Sequence, residues 1–168
     1  DDDEFLETLQ ALRAGDLCRR HAEALLSRRK PLDPFHEATE LHTTNVDVDT
    51  INARRLSQLD GEAHEYHMVT TGKANYAETL ARSCLALETL TLKKGAFVMA
   101  IRNNPEKRYA NGSLGTVVDF EEITDYPIVE LKNGRRVTVS PETWELRDGD
   151  KKRASLTQIP LRLAWAIT

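Results

Sequence analysis

The pair Asn133-Gly134, set between the apolar alternations Ile128-Val-Glu-Leu131 and Val137-Thr-Val139, constrains this chain more than any other short segment. Glycine takes positive φ without steric cost and asparagine tolerates it, so the pair predicts a tight hairpin with both central residues at positive φ. Asn111-Gly112 is a second such signal. Around these turns lie short β-branched runs near 95–101, 115–120, 127–131, 135–139 and 143–147. Strands of that length and spacing predict a small antiparallel barrel, SH3-like or OB-like.

Upstream the texture is different. Phe5, Leu6, Leu9 and Leu12 recur at helical spacing with Gly15 as a stop, and Asp16 is placed to cap a second helix carrying Leu17, Cys18, Leu25 and Leu26. Pro31 and Pro34 then mark a linker. Residues 39–44 read as a short strand, and Asn45 opens a helix with Val48, Ile51, Asn52, Leu56 and Leu59. Residues 63–69 alternate like a strand, and Tyr76, Leu80 and Leu85 mark a short helix. The closing segment 158–168 is apolar to its last residues, so it is expected to lie against residues 63–69, against the strand at Leu41, or beneath a second copy of the chain. Trp144 and Trp165 are expected in the core.

Charge divides along the same lines. The balance is −4 over residues 1–40, −3 over 41–92 and +3 over 93–168, so any preference for a polyanion sits in the last segment. That surplus is small for a nucleic-acid footprint. No run approaches the ~20 apolar residues of a membrane span, and the acidic start Asp1-Asp2-Asp3-Glu4 is unlike a signal peptide, so a cytoplasmic setting is expected. Cys18 and Cys84 are too few and too far apart for a disulfide framework.

Several catalytic motifs fail on spacing. Gly72-Lys73 is followed by Ala74, and His67 stands where a phosphate-binding loop needs its first glycine. His64 and His67 are three apart, whereas the zinc-protease signature needs four to share a helix face. Cys18, His21, His64 and His67 form no compact knuckle, and no nucleophile–histidine–carboxylate set is evident. Neither a catalytic residue nor a metal site is therefore assigned.

The more specific signal is Leu41-His-Thr-Thr44-Asn45-Val-Asp-Val-Asp49-Thr-Ile51-Asn52. A strand ending in hydroxyl and amide side chains passes straight into a helix, so Thr44, Asn45 and the free amides of the first turn can converge on an anion. The competing reading makes Asn45 an N-cap, with Asp47 and Asp49 favouring the positive helix end and repelling a phosphate.

This block, with Lys93-Lys-Gly95-Ala-Phe-Val-Met99-Ala-Ile-Arg-Asn103-Asn104, Tyr109-Ala-Asn111-Gly112-Ser-Leu-Gly115-Thr-Val-Val118 and Pro160-Leu-Arg-Leu-Ala-Trp165-Ala-Ile-Thr168, resembles the Pif/RecD-type superfamily 1 DNA helicases. The four blocks occur in the family's order, and Phe5…Leu9…Arg13-Ala-Gly15 extends the resemblance to nearly the whole chain.

The resemblance implies an α/β-plus-β fold: an incomplete RecA-like, P-loop NTPase-type lobe with an inserted SH3-like barrel. Residues 1–35 become a helical lead-in, 36–90 and 158–168 part of the second motor lobe, and 91–157 the insertion. It implies a parent that hydrolyses ATP with Mg and moves along single-stranded DNA, generally 5′ to 3′. The chain itself would be inactive without the first motor lobe, which carries the phosphate cradle and metal site, and would hold no cofactor. Thr44 and Asn45 become backbone-phosphate contacts by this resemblance. Lys93, Lys94, Arg102, Asn103, Asn104, Lys107 and Tyr109 are added as insertion-side candidates, because single-strand binders combine cationic grooves with aromatic platforms. Self-association through apolar ends, a nucleoid-associated location, a RecD-like subunit of an exonuclease complex and a stand-alone SH3-like interaction module are the accompanying expectations and alternatives.

Overall fold

The computed structural model describes residues 2–31, 38–106 and 108–168, in two units, Asp1–His36 and Glu37–Thr168. The first unit is a helix pair, α1 (Asp2–Ala14) and α2 (Arg19–Ser27). Gly15 stops α1 at φ 73°, and its N–H and that of Asp16 reach back to the carbonyls of Leu12 and Ala11. The cap of α2 is Cys18 rather than the expected Asp16, because His21 Nδ1 accepts the Cys18 N–H at 3.3 Å and so fixes the start two residues later. Arg20 pairs with Glu4 and Glu7, and Arg28 lies 4.2 Å over the Phe5 ring, so charge and cation–π contacts join the two helices.

The second unit is mixed α/β. In chain order it holds β1 (Glu40–Leu41), α3 (Asn45–Ser57), β2 (His64–His67), β3 (Val69–Gly72), α4 (Ala74–Ser83), β4 (Thr89–Leu92), β5 (Phe97–Ala100), β6 (Leu114–Phe120) and β7 (Pro127–Leu131). There follow β8 (Arg136–Thr138), β9 (Glu142–Asp148), β10 (Lys151–Gln158), β11 (Leu161–Leu163) and β12 (Ala166–Ile167). Residues 63–69 are not one strand. The chain changes partner at Met68, pairing through β2 with β4 and through β3 with β10.

The hairpin at Asn133-Gly134 forms as the sequence requires, between β7 and β8. Its turn differs in detail. Gly134 is at φ 80° while Asn133 is not at positive φ, and the N–H of Gly134 donates to Leu131 O while that of Leu131 donates to Arg135 O. This is a three-residue loop, which needs one left-handed residue where a two-residue loop needs two. Asn133 contributes by accepting the Arg135 N–H on its Oδ1.

The β-rich half builds a five-stranded antiparallel sheet, β11-β5-β6-β7-β8, and a three-stranded sheet, β3-β10-β9. No pairing among the described residues closes these into the expected barrel. Val139 still donates to Pro127 O, but Pro141 has no N–H to continue the ladder, and β9 turns instead to β10. Both sheets also reach outside residues 91–157, taking β3 from one side of that range and β11 from the other. The core they enclose centres on Phe97, Val98, Val117, Val129, Val139, Ile159 and Trp165, with Leu90 and Leu92 from β4.

The closing segment takes one of its expected places. β12 pairs in parallel with β1, with Glu40 opposite Ala166 and Leu41 opposite Ile167. Ala164, Trp165 and Ala166 are buried, as anticipated for Trp165. No helix among the described residues is long and apolar enough to cross a membrane.

Candidate nucleic-acid interface

The corner between β1 and α3 is built from beneath by one buried side chain. Asn52, in the third turn of α3, donates Nδ2 to Ala166 O at 2.9 Å and accepts the Ala166 N–H on Oδ1 at 3.0 Å. An amide carries one donor and one acceptor in the spacing of a peptide group, so Asn52 bonds β12 as a neighbouring strand would. Two backbone groups that would otherwise be buried unpaired are thereby satisfied, and the middle of α3 is held against β12.

Above that support, Thr44 is the N-cap of α3, at φ −130° and ψ 141°. Its Oγ1 accepts the Asp47 N–H at 3.3 Å and donates to Asp47 Oδ2 at 2.5 Å. Thr44, and not Asn45, therefore does the capping, which frees Asn45 to face outward in the first turn. Thr168 Oγ1 donates to Asn45 Oδ1 at 3.0 Å, bringing the last residue onto the same corner. Hydroxyls and amides converge there, and the Asp47 carboxylate moderates the positive helix end. Such a corner suits a hydrogen-bonded phosphate oxygen held by few charges.

The candidates on the β-rich side are spent differently. Lys93 Nζ donates to Leu59 O at 2.9 Å, just beyond the end of α3, and Lys94 Nζ lies 3.7 Å from Asp119 Oδ1. Arg102, Asn103, Asn104 and Tyr109 share the β5–β6 connection. Asn103 Oδ1 accepts the Asn111 N–H, and Asn104 Oδ1 accepts those of Glu106 and Arg108, so both carbonyl oxygens shape their own loop. Lys107 lies outside the described residues.

Tyr109 is a correction. It was expected to offer a platform to a base, yet it is only 6% exposed and belongs to the core. Burial, reinforced by the Glu142 charge, pushes its phenol above the ordinary range, with Asn104 and Arg102 opposing. Trp144, expected in the core, is instead half-buried, with the Arg102 guanidinium 4.9 Å over its ring and Arg102 Nη1 donating to Thr143 O at 2.6 Å. The half-buried aromatic beside the loop is thus Trp144.

Much of the basic surplus after residue 93 is paired. Arg136 meets Glu130, Arg153 meets Asp148, and Arg147 and Lys152 both meet Glu145, whose carboxyl they hold below its ordinary range. No hydrogen bond or ion pair among the described residues links the α3 corner to the β5–β6 loop. The residues that sequence reasoning missed are Asn52, Thr168 and the half-buried Arg162 on β11. Asn52 stood in the quoted helix block but read as a generic polar position.

Comparison with known proteins gives the geometry a context. Residues 75–120 match the family description "DNA helicase Pif1, 2B domain". The chain is 32% identical to the ATP-dependent DNA helicase Pif1 of Bdellovibrio bacteriovorus, over 99% of this chain and 38% of that protein. It is similar to the crystal structure of Bacteroides sp Pif1 in complex with ADP-AlF4, with a TM-score of 0.78 and 29% identity over 99% of this chain and 39% of that one. A Bacteroides Pif1 helicase in complex with ADP-AlF3 and ssDNA is similar with a TM-score of 0.65 and 30% identity, over 98% of this chain and 39% of that one. The chain therefore spans well under half the length of these relatives.

Proposed function

This chain belongs to the Pif1 helicase family, and on that premise we propose that it forms part of the second motor lobe of an ATP-dependent DNA helicase, where it grips the backbone of single-stranded DNA. The observation that carries this reading is the α3 corner, where Thr44, Asn45 and Thr168 meet over the Asn52 support. Residues 36–90 and 158–168 supply the RecA-like part on this reading. Residues 91–157 hold the SH3-like insertion, present as two sheets rather than a closed ring. Lys94, Arg102 and Trp144 are the insertion's share of the track.

ATP and Mg belong to the parent and act between this lobe and the first. The chain alone neither hydrolyses nucleotide nor unwinds duplex, since phosphoryl transfer needs a phosphate cradle, a metal and a charge-stabilising arginine together. A 5′-to-3′ direction and a cytoplasmic or nucleoid-associated setting complete the proposal.

Fluorescence anisotropy with labelled oligo-dT tests the grip. The expected result at low salt is weak binding that is indifferent to base sequence and falls steeply with added salt, because each phosphate contact releases counterions. Asn45→Ala is expected to weaken it several-fold while leaving the thermal transition in place. Absence of binding by the unaltered chain would overturn the reading.

A further inference from the structure

Arg162 sits mid-strand on β11, the edge of the five-stranded sheet, opposite Met99 of β5. It is half-buried, and its side chain makes no hydrogen bond or ion pair among the described residues. Most other basic side chains on these sheets have an acidic or carbonyl partner. A guanidinium carries five donors in a rigid fork, and drawing it partly out of water without an acceptor is unfavourable. The position is therefore open to a partner from outside the chain.

Two clefts show where that partner would lie. Arg162 lines one of about 190 Å³, bordered by Asp49 and Asn52 of α3 and by Thr89 and Thr91 of β4. It also lines a smaller one of about 70 Å³, bordered by Val48 and Thr168. Val48 is one turn along α3 from Thr44, and Thr168 is the residue bonded to Asn45. The second cleft thus runs from the α3 corner to Arg162. The one carboxylate residue bordering these clefts, Asp49, lines the larger of the two with Arg162 but forms no ion pair with it, and the smaller cleft has none.

We propose that Arg162 is a further DNA contact, taking a backbone phosphate adjacent to the one held at the Thr44–Asn45–Thr168 corner. The proposal rests on the single-strand grip argued above. It adds a charged, bidentate-capable contact to a corner that otherwise offers only neutral donors, and so assigns to β11 the electrostatic share of binding there.

The test is a salt titration of oligo-dT binding by the unaltered 168-residue chain, Arg162→Ala, Arg162→Lys and Asn45→Ala. Arg162→Ala is expected to weaken binding about five- to tenfold, as loss of one charge-assisted contact would. It should also flatten the slope of log affinity against log salt by about 0.7, the share of one phosphate on a single strand. Arg162→Lys should recover the slope but only part of the affinity. Asn45→Ala should lower affinity with the slope unchanged, which separates the two contacts.

If the unaltered chain binds and depends on Asn45, but Arg162→Ala keeps both affinity and slope, Arg162 is no DNA contact and the grip stands. Arg162 is equally excluded as a DNA contact if Arg162→Ala weakens only the binding of ADP, which would make the anion a nucleotide phosphate. A loss that appears only as a lower Tm excludes it too, being the signature of packing within the chain. If the unaltered chain does not bind at all, the Arg162 contact and the grip fall together.

Discussion

The α3 corner and the β5–β6 loop both contain asparagine and hydroxyl side chains, yet they spend them in opposite ways. In the loop, Asn103 and Asn104 turn their carbonyl oxygens inward to hold a connection that has no sheet of its own, and Arg102 reaches the Thr143 carbonyl. In the corner, a single buried amide, Asn52, does the holding from below, and the cap is local to Thr44 and Asp47. Among the described residues, the side chains of Asn45 and Thr168 hydrogen-bond only to each other. A polar cluster is available to a ligand when something else has already satisfied the backbone beneath it, and the number of polar residues is a poor guide to that.

The comparison can be broken most severely at Asn52. Asn52→Leu leaves the N–H and C=O of Ala166 buried and unpaired, at a cost of roughly 2–4 kcal/mol, and should abolish DNA binding together with the native transition in urea. Asn52→Asp keeps the acceptor only and should fall between. If Asn52→Leu melts like the unaltered chain, the corner has no foundation of the kind described.

Gly115→Ala probes the sheet that supports the loop. A Cβ there would meet Glu130 O and Val129 Cγ1 of the neighbouring strand β7, both at 2.6 Å. The expected loss is about 1–3 kcal/mol by thermal unfolding, with the residual affinity for DNA per folded molecule unchanged. Thr44→Ala comes next, costing about 1 kcal/mol through the lost cap, while Thr44→Ser should restore most of it. A serine that restores stability but not binding would assign the threonine methyl a contact with the strand.

The smallest effect is expected from alkali. The Tyr109 phenol in the loop and the Tyr66 phenol, which donates to Asp125 O, are both raised in the folded protein, chiefly by burial. The folded state then holds more protons than the unfolded one above about pH 10, so stability is fully present below that pH and declines as pH rises through it. The tyrosinate absorbance of Tyr66 and Tyr109 should therefore appear late and together with unfolding. Tyr66→Phe and Tyr109→Phe should each make the decline shallower, whereas no Thr44 or Asn45 variant should alter it.

What the sequence disclosed follows the range of the interaction. The hairpin at Gly134 and the stop at Gly15 were legible because one residue's φ decides each of them. The helix start at Thr44 was legible to within a residue, since caps act over three positions. Barrel closure was not, because it depends on which edge β3 and β11 join, and nothing local to either strand announces β10 or β5. The fate of Tyr109 was masked by Lys107-Arg108 beside it, which read as surface although the ring turns inward. Asn52 was invisible for the plainest reason, its partner lying 114 residues away.

The change of partner at Met68 has a mechanical meaning. Two strands in direct succession belong to different sheets, and buried Gln158, at the end of β10, donates to the carbonyls of both Tyr66 and Leu87 across the junction. Such a seam has no slack: a pull on the β9–β10 hairpin is delivered along the backbone to the β2–β4 pair without an intervening hinge. On the function proposed above, this segment would serve as a tie-rod, passing load between the proposed insertion and the proposed lobe while tolerating little stretch.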